Sequence, residues 1–172
     1  MISNASPLIF FSKINKLDLL CTVFPKIHIP EEVFDEVVKR GRGSPDAILI
    51  QEYIGRGNIT VKRLVAEFQK KTLQLIGMYP QLDKGEADVI SLALQEHEKE
   101  VLMDDNIGRK AAELNGLIPS GSLRVLLLAF QRKIISKEEV LKMVGMLLDA
   151  GFYIGPEVLE KFYEVVKKME RR

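Results

Sequence analysis

The sequence predicts an α/β fold with a mostly parallel central sheet. Three observations predict it. Short apolar or alternating runs, four to seven residues long at most, recur along the chain and are separated by segments with helical periodicity. The helical segments open on cap residues or proline and close on glycine. The short run Val101 to Met103 is apolar without alternation, as a strand covered on both faces should be. The resulting order is strand, helix, strand, helix, helix, strand, helix, helix, strand, helix, strand, then helices, which is the signature of a layered α/β domain.

Taken in order, Met1 and Ile2 form a very short strand, and Ser3 to Ser6 a polar turn. A helix is entered through Ser6 with Pro7 at its first position, where the missing N–H costs nothing. Leu8, Ile9, Phe11 and Ile14 give it an apolar face, and Leu17, Leu19 and Leu20 begin another short helix. Asn4 thereby stands at the carboxyl end of the first strand. Val23 to Ile29 reads as a second strand, with Lys26 and His28 facing away from Ile27 and Ile29. His28 is expected at a surface or edge, since neither His97 nor Cys21 has ligand spacing to it. Pro30 opens the helix PEEVFDEVVKRG, with Val33, Phe34 and Val37 as its core stripe, Glu36 beside the stripe and Gly41 as the stop. GRGSP is a turn without the spacing of a phosphate-binding loop. Asp46 to Ile54 is a helix with Ile48, Leu49 and Tyr53 inward, Ile59 to Lys62 an edge strand, and Leu64 to Ile76 an amphipathic helix.

The stretch Leu82 to Asp105, LDKGEADVISLALQEHEKEVLMDD, organises the rest. Asp83 is a plausible helix cap and Glu86 follows three residues later, as in a capping box. Glu86 therefore has two readings of equal weight, helix-start carboxylate and site residue. Ala87, Ile90 and Leu94, with Val89 and Ala93, mark one buried stripe, and Asp88 points to nearly the opposite side from Glu86. A polar turn leads to the strand Val101 to Met103, with Asp104 and Asp105 at its carboxyl end. In open α/β sheets ligands bind beyond that end of the strands. Next come a helix over Ile107 to Leu114, ended by Asn115 and Gly116, and a strand over Leu117 to Pro119. A helix over Ser120 to Phe130 follows, burying Leu123, Leu126, Leu127 and Phe130. Ser136 and Glu139 form a second capping-box pattern before the helix Val140 to Leu148, and Pro156 starts a last helix with the stripe Val158, Leu159, Phe162 and Val166. The basic tail, Lys167 to Arg172, reads as a solvated terminus.

Residues 1–172 are expected to form a single domain, with the C-terminal helices from about 136 to 172 packed on it. A 47% hydrophobic content and 25 basic against 24 acidic residues describe an ordinary globular chain and do not advertise nucleic-acid binding. One cysteine excludes an internal disulfide and fits a cytoplasmic setting. There is no signal-peptide pattern at the start, and the longest apolar run, Val125 to Phe130, is too short to span a bilayer.

In order along the chain, SNASPLI, IPEEVFDEV, LDKGEADVISLAL, VLMDDNIGRKAAELNGL, SGSLRVLLLA and ISKEEVLKMVGMLLDAGFYI together resemble the PIN-domain ribonucleases. The likeness is to the toxin-type members of toxin–antitoxin pairs and extends over essentially the whole chain. It implies a three-layer α/β/α fold with about four to five strands. It also implies a metal-dependent endoribonuclease using Mg²⁺ or Mn²⁺, an RNA substrate, a homodimer and a small antitoxin partner. Carried over by position, the acidic set falls on Asn4, Glu36, Glu86 and Asp104, with Asp105 the neighbour that is not excluded. Ser6 and Ser122 match supporting hydroxyl residues, and Arg109 lies beside the aspartates. Glu86 and Asp104 are expected as principal metal ligands, with Glu36 as a further ligand or water-orienting group.

Several carboxylates share a small volume only if cations neutralise them, and hard oxygen donors suit Mg²⁺ or Mn²⁺. The departure is Asn4, where the family pattern most often has aspartate: the amide keeps a carbonyl oxygen but removes a full negative charge. A second reading, a PIN-like module that binds RNA or protein without catalysis, rests on that residue. A receiver-like phosphoacceptor built on Asp104 and Asp105 is weaker, because no switch lysine or second-strand acceptor can be placed. The apolar stripes over 47–54 and 64–76 are candidates for a dimer interface, against ordinary core packing.

Overall fold

A computed structural model describes residues 1–170 and holds five strands and ten helices among them. The strands are β1 (Ile2–Ser3), β2 (Ile27–Pro30), β3 (Ile59–Lys62), β4 (Glu100–Leu102) and β5 (Ile118–Ser120). They form one sheet in the order β3-β2-β1-β4-β5, and every pairing is parallel. The expected mostly parallel sheet is thus wholly parallel. The helices are α1 (Ala5–Lys13), α2 (Leu17–Val23), α3 (Glu31–Phe34), α4 (Pro45–Gly55), α5 (Ala66–Met78), α6 (Lys84–Gln95), α7 (Asn106–Leu114), α8 (Ser122–Gln131), α9 (Lys137–Asp149) and α10 (Pro156–Glu170). Layered on the sheet, they give a three-layer α/β/α fold.

The strand order explains where a ligand can go. From β1 the chain runs outward through β2 and β3, then returns through α6 to place β4 on the other side of β1. Helices leaving β1 and β4 diverge, and a crevice opens beyond the carboxyl ends of these two strands. Register brings both ends level: Ser3 pairs with Leu102, and the Asn4 N–H donates to the Leu102 carbonyl at 2.9 Å.

Helix α6 packs across β2, β1 and β4 with α5 outside it. It is buried from Gly85 to Ala93 without a break, so the expected single stripe understates it: α5 covers the face that would otherwise meet water. The α5–α6 seam holds a buried polar cluster, in which the Thr72 hydroxyl lies 2.8 Å from an Asp88 oxygen and 3.0 Å from the Ser91 hydroxyl. Asp88 therefore faces α5, away from the site side of α6.

Several boundaries and faces differ from expectation. Val23 ends α2, and β2 starts only at Ile27, because Phe24 and Pro25 form the bend between them. Helix α1 begins at Ala5 with Asn4 as its cap residue, so Pro7 lies within the first turn rather than opening it. Helix α5 begins at Ala66, two residues later than read. The helix after Pro30 becomes π-helical over Asp35–Arg40 before Gly41 stops it. In α4 Ala47 and Ile50 are buried, Leu49 and Tyr53 pack half-buried against the core as expected, and Ile48 is exposed. Helix α8 starts at Ser122 and buries Val125, Leu126 and Ala129, with Leu123, Leu127 and Phe130 half-buried. In α10, Phe162 and Val166 are buried while Val158 is exposed. His28 sits on β2, an interior strand, and is half-buried. Of the basic tail, Arg171 and Arg172 lie outside the described residues.

Both capping boxes are present. Ser136 and Glu139 exchange bonds at the start of α9, and Asp83 and Glu86 at the start of α6. Among the described residues no helix is long and apolar enough to cross a membrane.

Candidate active site

A cleft of about 230 Å³ opens beyond the carboxyl ends of β1 and β4. Its lining includes Asn4 and Ser6 from the start of α1, Glu36 from the π-helical turn, Asp83 and Glu86 from the start of α6, and Asp105 from the start of α7. Four segments far apart in sequence thus converge on one volume, as the strand order requires.

Glu86 is the most constrained of these groups. Its backbone N–H donates to Asp83 Oδ1 at 2.7 Å, and its Oε2 accepts from the Asp83 N–H at 3.3 Å. The capping reading of Glu86 is therefore correct, and it accounts for only one of the two carboxylate oxygens. The other, Oε1, lies over Gly108 of α7, where an added Cβ would stand 2.7 Å from it. Glycine at 108 is what lets the carboxylate reach that position. Burial, then the Asp83 and Asp105 carboxylates, push the Glu86 carboxyl from 4.5 up to about 7.

Asp105 caps α7: its Oδ1 accepts from the N–H groups of Ile107 at 2.7 Å and Gly108 at 3.1 Å. It lines the cleft with Glu86, and its charge is one of the two that raise the Glu86 carboxyl. Glu36, half-buried, stands across the mouth, with Oε2 3.5 Å from where a Cβ on Gly85 would sit. Burial and the Asp83 carboxylate raise its pKa, opposed by Arg40. Asn4 is 3% exposed, and its Oδ1 is buried without a hydrogen-bond partner. An orphaned carbonyl oxygen is costly unless something else meets it.

Asp104 is placed differently from Asp105. Its Oδ1 accepts from the Ser122 backbone N–H and its Oδ2 from the Ser122 hydroxyl, both at 2.7 Å. Arg109 lies on the same side: a Cβ on Gly121 would be 2.9 Å from both Arg109 Nη1 and Asp104 Oδ1. Burial raises the Asp104 pKa against these bonds and the Arg109 charge. Asp104 is expected from the sequence beside Glu86 as a leading ligand, with Asp105 as its alternative; of the two, Asp105, the cap residue of α7, lines the cleft, while Asp104 is turned to Ser122. Ser122 and Arg109 belong with Asp104, at the start of α8, rather than with the cleft. Asp83 was read only as a cap, yet it is also a wall of the cleft. Its place at the same helix start as Glu86 was the available signal.

Among the described residues no three Asp, Glu, His or Cys side chains group closely enough to hold a metal ion by themselves. The donor set at the cleft is instead the carboxylates of Glu86 and Asp105, with the unpartnered amide oxygen of Asn4. That set fits Mg²⁺ or Mn²⁺, since Mg²⁺ keeps several waters and is commonly held by one or two carboxylates plus substrate phosphate. Glu86 is in no ion pair among the described residues.

A family model described as a PIN domain matches residues 1–168 of the chain. No curated protein matches it.

Proposed function

The chain belongs to the PIN-domain family, a family of nuclease-type modules, and on that premise we propose that it is a metal-dependent endoribonuclease acting at the β1–β4 cleft. The observation that carries this reading is that Glu86 and Asp105 line one cleft while neither is in an ion pair among the described residues. Two carboxylates held together in a half-closed cleft are stable only with a counter-charge or a shared proton.

In this reading Glu86, Asp105 and the Asn4 amide oxygen hold Mg²⁺ or Mn²⁺. When bound, the cation supplies Lewis-acid stabilisation of the scissile phosphate and a lowered pKa for water. Glu36, across the mouth and with a raised pKa, orients or deprotonates water approaching the phosphate. Ser6 lines the same wall and is placed to donate a hydrogen bond to substrate. Asp104, Ser122 and Arg109 act as positioning residues that fix the end of β4 and so aim Asp105.

The experiment is cleavage of a labelled single-stranded RNA with Mn²⁺ or Mg²⁺, and with the cation chelated. Cleavage that stops on chelation supports the reading; cleavage indifferent to chelation removes it. Asn4, in place of an aspartate, favours a second reading: a PIN-like module that binds RNA or protein without turnover. A folded protein that binds RNA and never cleaves it, with either cation, would establish that alternative.

The toxin role, with a small antitoxin and a cytoplasmic setting, rests on the resemblance in sequence. A homodimer draws support from exposed Val65, Leu73 and Met78 on and beside α5.

A further inference from the structure

The cleft concentrates negative charge, and the chain as a whole carries a net charge of only +1. A polyanion is therefore not drawn in by the overall field, and cations beside the cleft must hold it. Such cations stand on one flank. Glu32 of α3 receives Arg40 on Oε1 and Lys84 on Oε2. Arg40 ends the π-helical turn that carries Glu36, and Lys84 is the first residue of the helix that carries Glu86. The Glu32 side chain is 20% exposed against 59% for Arg40 and 61% for Lys84, so the carboxylate lies beneath and the two cations face outward. The three sum to one net positive charge, and the residues next to them in sequence, Val33, Asp83 and Gly85, line the cleft.

The neighbouring turn extends the same flank. Lys39, Arg40 and Arg42 lie within four residues, and Gly43, at φ +89°, turns the chain back toward α4. Lys39 pairs with Asp35, whereas Arg42 has no ion pair among the described residues. On the opposite flank Arg109 is turned to Asp104. Exposed ion pairs add little to stability, so Arg40 and Lys84 are not held for the fold. A π-helical turn is also a feature that proteins place mostly at functional sites.

We propose that Arg40 and Lys84, joined through Glu32, grip the phosphodiester backbone of the single strand that enters the cleft, with Arg42 next along the same path. Glu32 is the internal competitor: it occupies both cations in the free protein and is displaced by phosphate. The proposal rests on the ribonuclease reading for the direction of the strand, and its test does not use cleavage.

The test is fluorescence-anisotropy binding of a twelve-nucleotide RNA, and of DNA of the same sequence, to the full chain in EDTA across a salt series. Each lost phosphate contact lowers the salt slope by about 0.7 and weakens binding about fourfold at 0.15 M salt. The double variant Arg40→Gln/Lys84→Gln is thus expected to lose about 1.4 in slope and to bind about fourteenfold more weakly. Glu32→Gln is expected to bind more tightly, because it frees both cations. Losses should be equal for RNA and DNA. An unchanged slope in the folded double variant, weaker binding by folded Glu32→Gln, loss confined to RNA, or no binding by the wild type would overturn the proposal. A wild type that binds with these slopes and never cleaves leaves the grip standing and removes only the nuclease reading.

Discussion

Ser122 gives Asp104 two hydrogen bonds, from its backbone N–H and its hydroxyl, each 2.7 Å long, and so ties the end of β4 to the start of α8. The bond pair uses both Asp104 oxygens and leaves Asp105 as the aspartate that faces Glu86. Ser122→Ala removes the hydroxyl from a buried carboxyl group and is expected to cost about 1–3 kcal/mol. Urea denaturation measures the cost, and an unchanged midpoint would show that the bond adds nothing.

The Glu86 carboxyl, raised from 4.5 to about 7 by burial and by Asp83 and Asp105, binds its proton more tightly in the folded state. Stability from this group is complete below about 4.5 and is lost as pH rises through about 7. Glu36, Asp88 and Asp104 are shifted in the same direction. In EDTA the melting temperature should fall between pH 5 and pH 8, and Glu86→Gln should flatten the fall. Mn²⁺ should restore the temperature at pH 8, because it replaces the proton as counter-charge.

Gly108→Ala tests the position of the Glu86 carboxylate. A Cβ there would also stand 3.2 Å from Met103 Sδ, so the overlap offsets any gain in helix propensity and the melting temperature should hold or fall. The new Cβ would stand 2.7 Å from Glu86 Oε1 and must push the carboxylate aside. Calorimetric Mn²⁺ affinity is expected to drop about tenfold or more, as the loss of one charged ligand contact requires. Affinity equal to that of the wild type would take Glu86 Oε1 out of the cation site.

Asn4→Asp supplies a charged oxygen where the amide oxygen now has no partner. It is expected to tighten Mn²⁺ binding by about tenfold or more. In EDTA the same variant should be less stable than the wild type, since it adds a fifth carboxylate to the cleft beside Glu36, Asp83, Glu86 and Asp105. A calorimetric titration with no gain would remove Asn4 from the donor set.

Thr72→Val removes the hydroxyl donor to Asp88 in the α5–α6 seam. The expected cost is about 1–3 kcal/mol, because a buried carboxyl group loses its hydroxyl partner. The shift in denaturant midpoint checks it.

Much of the architecture was legible because local chemistry marks it. The capping boxes at Asp83–Glu86 and Ser136–Glu139 are both real, although the second helix starts at Lys137, three residues before the Val140 read from its apolar run, and Gly41 and Gly116 marked real stops. What failed depended on neighbours far away in sequence. Ile48 looks like a core residue, but α4 turns it outward and buries Ala47 and Ile50 instead. The full burial of α6 follows from α5 lying over it, which no periodicity within α6 reveals. The π-helical turn at Asp35–Arg40 has no signal in the side chains that form it.

The candidate site was legible by position and not by orientation. Asn4, Glu36, Glu86 and Asp105 meet at one cleft because strand ends and helix starts can be read from sequence. The choice between Asp104 and Asp105 could not be read. It is decided by Ser122, eighteen residues beyond Asp104, and by the absence of a side chain at Gly121.

The central claim is that the Glu86–Asp105 pair holds the cation that RNA hydrolysis needs. The most direct measurement is Mn²⁺-dependent cleavage of a single-stranded RNA by the wild type and by Glu86→Gln, prepared identically and matched by circular dichroism. Cleavage by the wild type that rises with Mn²⁺, and is absent in the variant at every Mn²⁺ concentration, is the predicted result. Equal cleavage by both proteins, or none by a folded wild type that binds the RNA, would contradict it.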